Sequence, residues 1–192
     1  MNIVIFGPPG AGKGTQSNLI EKKFKLYQIS TGELLRKEIK NNTDLGKKIS
    51  SIINLGDLVS DEIVSNLIEK YISDSKYRGK IIFDGYPRNL NQAKNLEKLL
   101  NQYTQSIDVV LKLNVSLETI KNRILQRKTL ERRADDNEEI AVKRYLTYEK
   151  NIKPVIDFYK ESKKLKLING EASIKEISDE ISGLIDSIKG WL

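Results

Sequence analysis

Gly7-Pro8-Pro9-Gly10-Ala11-Gly12-Lys13-Gly14-Thr15 stands directly after the apolar run Asn2-Ile3-Val4-Ile5-Phe6 and opens a helix-length stretch. A Gly-x4-Gly-Lys pattern between a strand and a helix is the context of a phosphate-binding loop. Its glycines let backbone N–H groups approach phosphate oxygens, and the N-terminus of the following helix adds partial positive charge. Lys13 supplies a full charge, suited to a chain of phosphates. The alternative reading is a plain Gly/Pro turn, against which the lysine at its end weighs. The residue after Lys13 is Gly14, where many such loops place a Ser or Thr that ligates magnesium; Thr15 comes one position later. A magnesium ion would then be held largely by nucleotide oxygens and water, with Thr15 nearer a phosphate oxygen.

Working outward, short β-branched runs recur at Ile3 to Phe6, Leu26 to Ile29, Lys80 to Phe83, Ile107 to Leu113 and Leu165 to Ile168, with helix-length segments between them. That alternation predicts an α/β fold with a parallel sheet, and near-continuous apolar runs such as Ile107 to Leu111 suit strands buried on both faces. Ser116 stands before Leu117, Ile120 and Ile124 as a helix N-cap. Asp135 and Asp136 precede Glu138 and Glu139 with capping-box spacing. The stripe Ala141, Tyr145, Tyr148, Ile152 then marks the buried face of a long helix, with a bend expected near Pro154. Two stretches break the alternation, 30–60 and the short polar 126–137, and both are read as lobes over a cleft. The whole chain, 1–192, is read as one domain carrying them.

Composition removes several chemistries. The 192 residues include no Cys and no His, which excludes thiolate and imidazole zinc sites, disulfides, Cys nucleophiles and Ser-His triads. Catalysis must therefore rest on Lys, Arg, Asp, Glu or a bound metal. Hydrophobic residues at 39% and charged residues at 31% read as a globular soluble chain. No apolar run approaches the roughly 20 residues of a membrane span, and no basic leader precedes the first strand, so the expected address is the cytoplasm. A net charge of +7 suits either a nucleic-acid surface or a polyanionic small substrate. Scattered lysines such as Lys22, Lys23, Lys47 and Lys48 read as a solvated surface.

Further segments narrow the choice. Ser30-Thr31-Gly32-Glu33-Leu34-Leu35-Arg36, Gly56-Asp57-Leu58-Val59, Phe83-Asp84-Gly85-Tyr86-Pro87-Arg88, and Arg133-Ala134-Asp135-Asp136 followed by Arg144, resemble adenylate kinase segments in order and spacing. With the glycine loop, the resemblance to this nucleoside monophosphate kinase family runs from Met1 to about Gly170. It implies a three-layer P-loop fold with a five-stranded parallel sheet, a small helical lobe at 30–59 over AMP, and a short lid at 126–137 over ATP. It implies magnesium-dependent phosphoryl transfer between ATP and AMP giving ADP, in a monomer with no membrane or nucleic-acid partner.

The resemblance also implies the site. Gly10, Ala11, Gly12, Lys13, Gly14 and Thr15, with Arg123, Arg127 and Ala172, belong to ATP. Thr31, Arg36, Asp57, Leu58, Val59, Gly85, Tyr86, Pro87, Arg88 and Gln92, with Arg133 and Arg144, belong to AMP. Lys13, Asp84, Arg88, Arg123, Arg133 and Arg144 form the catalytic set, and Asp84 serves magnesium through water. Phosphoryl transfer is mostly positioning and charge neutralisation, for which guanidinium forks match phosphate geometry. Taken singly, Arg123 and Arg127, at i and i+4 on one helix beside Lys121 and Lys128, would read as a solvated face.

Base choice rests on Thr31, the backbone from Gly56 to Val59, and Gln92. A glutamine amide both donates and accepts, as the N1 and 6-amino edge of adenine requires. The similar UMP/CMP kinases usually carry Ala and Asn at the positions of Thr31 and Gln92. In the lid, Arg132 occupies a position that is Gly in many short-lid relatives, and spacing to Asp135 and Arg144 gives the catalytic role to Arg133. The competing class is a P-loop switch or nucleic-acid factor that binds ATP without transferring phosphate. Against it, the chain lacks aromatic-basic clusters for stacking bases, and its AMP-type motifs would be idle.

Overall fold

The computed structural model describes residues 1–131 and 138–189. Its strands are β1 (Ile3–Phe6), β2 (Tyr27–Ser30), β3 (Ile81–Asp84), β4 (Val109–Asn114) and β5 (Leu165–Asn169). Its helices are α1 (Lys13–Phe24), α2 (Thr31–Lys40), α3 (Asp44–Asn54), α4 (Asp61–Ile72), α5 (Leu90–Gln102), α6 (Leu117–Glu131), α7 (Glu138–Glu161) and α8 (Ile174–Lys189). All five expected strands form, within two residues of the apolar runs.

The sheet is parallel throughout, in the order β2-β3-β1-β4-β5. β1 is central, and all four of its residues are buried. Its run serves two faces because side chains alternate along a strand. Ile3 and Ile5 join Ile82, Val109 and Leu111 against Ile20 of α1 and Ile181 of α8. Val4 and Phe6 join Phe83 and Val110 against Ile68 of α4, Leu96 of α5 and Val155 of α7. Helices thus cover both faces, which is the three-layer arrangement that continuous apolar strands require. Each fully buried Ile, Leu or Val contributes about 1.5–3 kcal/mol relative to exposure.

Local signals fix the helix starts. The Ser116 hydroxyl accepts the Thr119 N–H at 3.2 Å, the cap expected for α6. Ser30 does the same for α2 through Glu33 N–H at 3.4 Å, and Thr43 for α3 through Gly46 N–H at 3.0 Å. α7 runs as one helix through Pro154. The segment expected to be helical and hairpin-like is the α2–α3 pair. Gly46 lets the two helices touch, since a Cβ there would lie 2.2 Å from the Glu38 carbonyl oxygen. Leu35, Ile49, Ile53 and Val59 join the same core as the sheet.

This order gathers the carboxyl ends of β1, β3 and β4, where parallel α/β folds bind ligands. Among the described residues no helix is long and apolar enough to cross a membrane.

Candidate active site

A cleft of about 660 Å³ opens at those carboxyl ends. One wall is the loop from Gly10 to Thr15. Gly10 holds φ at +86°, and a Cβ there would press within 3.1 Å of Ile124 on α6, so only glycine fits without strain. Gly12 is the N-cap of α1 and makes no side-chain cap hydrogen bond. The N-terminus of a helix, with its positive dipole end, suits an anion. The Lys13 ammonium donates to the carbonyls of Gly7 at 2.7 Å and Pro8 at 3.1 Å. Beside it, Arg123 donates to the Ala11 carbonyl at 3.2 Å and the Gly170 carbonyl at 2.9 Å. Arg123 therefore ties α6 to the glycine loop and to the β5–α8 turn, where Ala172 lines the cleft. That is tertiary positioning, which the solvated-face reading did not contain.

Asp84 ends β3, is 6% exposed, and lines the cleft. One carboxylate oxygen accepts from the Gln28 amide at 2.9 Å; the same oxygen would lie 4.0 Å from a Cβ on Gly14. The carboxylate is thus held beside the glycine loop. Among the described residues no three His, Cys, Asp or Glu side chains group together to cage a metal. A single acidic side chain fits a magnesium ion that brings its own water and phosphate ligands.

The facing wall carries Arg36 from α2, Arg88 after β3 and Arg144 from α7, with Asp57, Leu58, Gly85 and Pro87 between them. Arg88 donates through Nε to the Gly85 carbonyl at 2.7 Å. Gly85 holds φ at +77°, and a Cβ there would crowd Arg88 Nη2 at 3.2 Å and Thr31 Oγ1 at 3.1 Å. Arg88 sits in the cleft, flanked by protein yet reached by water. Desolvation, the Arg144 charge and the Arg36 charge draw its pKa down to about 10, against the pull of Asp84. It remains a cation at neutral pH. Arg144 and Arg36 both repel the Arg88 charge, and an anion beside Arg88 would offset that repulsion.

Four expected AMP residues stand behind that wall. Thr31 is buried and donates to the Gly85 carbonyl at 2.9 Å. Val59 and Tyr86 are buried in the core. Gln92 is 3% exposed, and both ends of its amide already have protein partners, Asp61 and the Arg88 N–H. The Arg127 side chain and Arg132, Arg133, Asp135 and Asp136 lie outside the described residues. Three further residues bear on the cleft without a sequence signal. Lys143 pairs with Asp57 at 2.7 Å and donates to the Leu55 carbonyl at 2.7 Å, anchoring the 55–59 turn to α7. Gln16 and Tyr148 line the cleft. Burial raises the pKa of the Tyr148 phenol. Gln16 follows Lys13 at i+3 on α1, a helical spacing that sequence could have flagged.

One wall of glycine backbone and Lys13 and another carrying Arg36, Arg88 and Arg144 line one cleft at the carboxyl ends of a parallel sheet, an arrangement that suits a phosphotransferase. A family model described as adenylate kinase matches residues 5–164, and the chain belongs to the adenylate kinase family. It is 44% identical to the adenylate kinase of Pelagibacter ubique, over 96% of this chain and 99% of that one. To the adenylate kinase of Bacteroides thetaiotaomicron it is 41% identical, over 98% and 100%, and to that of Leptospira biflexa 40%, over 93% and 96%. The Pelagibacter alignment runs over 211 positions, more than the 192 residues here, so that relative carries residues without a counterpart in this chain.

Proposed function

We propose that the chain transfers the γ-phosphoryl group of ATP to AMP, reversibly giving two ADP. The carrying observation is that the α1 N-terminus and Lys13 share one cleft with Arg36, Arg88 and Arg144. ATP takes the glycine-loop wall, with backbone N–H groups from Gly10 to Thr15 on its phosphates and Arg123 and Ala172 alongside. AMP takes the opposite wall, with Arg36 and Arg88 on its phosphate, the backbone of Asp57 to Val59 along its nucleoside, and Thr31 and Gln92 toward its base.

An AMP phosphate oxygen attacks the γ-phosphorus, and the bond to the β–γ bridging oxygen breaks, leaving its electron pair on ADP. No protein atom bonds covalently to phosphorus. Lys13, Arg123 and Arg144, with Arg133 from the lid segment, neutralise charge on the transferring group and hold donor and acceptor in line, while Arg127 contacts ATP. Asp84 would hold magnesium through water, and the ion would supply charge neutralisation on the triphosphate. Segments 30–59 and 126–137 close over AMP and ATP and exclude water, which would otherwise take the phosphoryl group. Closure of the adenylate kinase lid is itself a standard example of such gating. The enzyme is assigned to the cytoplasm as a monomer.

A coupled assay of ADP formation from MgATP with AMP, CMP, UMP and GMP tests the reading. AMP is expected to be the best acceptor by a wide margin, because a site built for one base edge leaves polar groups unpaired with another. Equal kcat/KM for UMP or CMP would refute the nucleotide assignment.

A further inference from the structure

Gln92 raises a problem for base recognition. A free glutamine amide can turn over and offer its N–H and C=O in either order, so it has no preference between a base edge and the inverted edge. The structure removes that freedom. Gln92 Nε2 donates to Oδ1 of Asp61 on α4 at 2.7 Å, and Gln92 Oε1 accepts the Arg88 backbone N–H at 2.7 Å. A carboxylate can only accept and a backbone N–H can only donate. Turning the amide over would set donor against donor at Arg88 and acceptor against acceptor at Asp61, in a site where Gln92 is 3% exposed.

Asp61 is itself held. Asn89 Nδ2 donates to its two oxygens at 2.9 and 3.2 Å, while Asn89 Oδ1 caps α5 by accepting the Gln92 N–H at 2.8 Å. Asn89 is thereby fixed by the same carboxylate. Among the described residues these are the only partners of the Gln92 amide, which leaves one N–H and one acceptor lone pair in a set order.

We infer that Asp61 is a specificity-determining positioning residue, which fixes the polarity of the Gln92 amide so that it matches an adenine edge and opposes a 6-oxopurine edge. The inference rests on the reading that Gln92 faces the base of AMP. Adenine presents an acceptor at N1 beside a donor at the 6-amino group. Hypoxanthine and guanine present a donor at N1 beside an acceptor at O6, the inverted order. Against a locked amide the inverted edge meets like with like, and buried polar groups stay unpaired.

The test measures kcat and KM for AMP and IMP, with saturating MgATP, in wild type, Asp61→Ala, Asp61→Asn, Gln92→Ala and the Asp61→Ala/Gln92→Ala double variant, together with the KM for ATP. Asp61→Ala is expected to lower the AMP-over-IMP ratio in kcat/KM by about tenfold or more. The loss should appear in the KM of AMP, with the KM of ATP unchanged. Asp61→Asn keeps the shape and one acceptor oxygen, and should shift the ratio the same way by about threefold. In the Gln92→Ala background, removing Asp61 should change the ratio no further, a coupling that a purely structural role would not give. An unchanged ratio in both Asp61 variants, or an equal loss in the Gln92→Ala background, overturns the inference. If Gln92→Ala keeps the wild-type ratio, the base-reading role of Gln92 fails instead, and the inference goes with it.

Discussion

Gly46→Ala places one methyl group where the α2–α3 hairpin has no room for it. The new Cβ would lie 2.2 Å from the Glu38 oxygen, 2.5 Å from the Glu38 carbonyl carbon and 2.8 Å from the Ile39 nitrogen. All three are backbone atoms, so no side chain can rotate aside. Ordinary contact begins at 3.4 Å, which requires the two helices to part by about 1 Å. The Thr43 hydroxyl, which accepts the Gly46 N–H and donates to the Glu38 carboxylate at 2.6 Å, would be strained by the same movement. Overpacking of this kind costs about 1–3 kcal/mol, and the upper end applies because backbone is struck. For a chain of this length, about 3 kcal/mol corresponds to a Tm lower by about 6–12 °C. Arg36 rides on α2, so its displacement should raise the KM for AMP by about tenfold, given that misplacement of a positioning group by 1 Å can cost more. The KM for ATP should not change. Thermal melts followed by circular dichroism and steady-state kinetics with each nucleotide varied provide the measurement. A Tm within about 2 °C of wild type and an unaltered AMP KM would refute both the close approach and the role given to α2.

Lys13→Met should lower kcat by about 10² or more, since one preorganised charge acts mainly on the transition state; a raised ATP KM at normal kcat would indicate uniform binding instead. For the lid segment, Arg133→Ala should reduce kcat/KM by at least about 10²-fold, the low end of arginine-finger effects, and Arg132→Ala by less than about tenfold. The reverse order would shift the lid register by one residue. Glu171 accepts from the Ser116 N–H and the Thr119 hydroxyl, each at 2.6 Å, and these bonds hold its pKa below the usual range. Because the folded pKa is depressed, this stabilisation is present above the ordinary carboxylate range and is lost as pH falls through the folded value. Glu171→Gln should therefore flatten the acid limb of a Tm-versus-pH curve between about pH 5 and 3, and a limb parallel to wild type would count against the contact.

The parts legible in sequence are those whose signal is local. The inner strands β1 and β3 showed themselves as apolar runs, because a strand covered on both faces needs apolar side chains at nearly every position. The glycine loop was legible because its geometry depends on a few adjacent residues. Ser116 was legible as a cap for the same reason. Asp61 was not, because Ser60-Asp61-Glu62 reads as an ordinary acidic helix start, and its bonds to Asn89 and Gln92 exist only once α4 lies beside α5. Lys143 likewise reads as one surface lysine among many until α7 brings it to Asp57. Pro154 lies inside one continuous helix, whose flanking Ile152, Val155 and Tyr159 are buried, a case of tertiary packing offsetting local propensity. Gln92 carried a local hint of base recognition but none of the two partners that hold its amide.

The claim beneath all of this is that one cleft moves phosphate between two bound nucleotides. Incubating the enzyme with MgATP labelled in its γ-phosphate and unlabelled AMP, then separating the products, tests it most directly. The account predicts that label appears in the β-phosphate of ADP formed from AMP, with two ADP per ATP consumed and little inorganic phosphate. Label released as inorganic phosphate, with AMP unchanged, would contradict it.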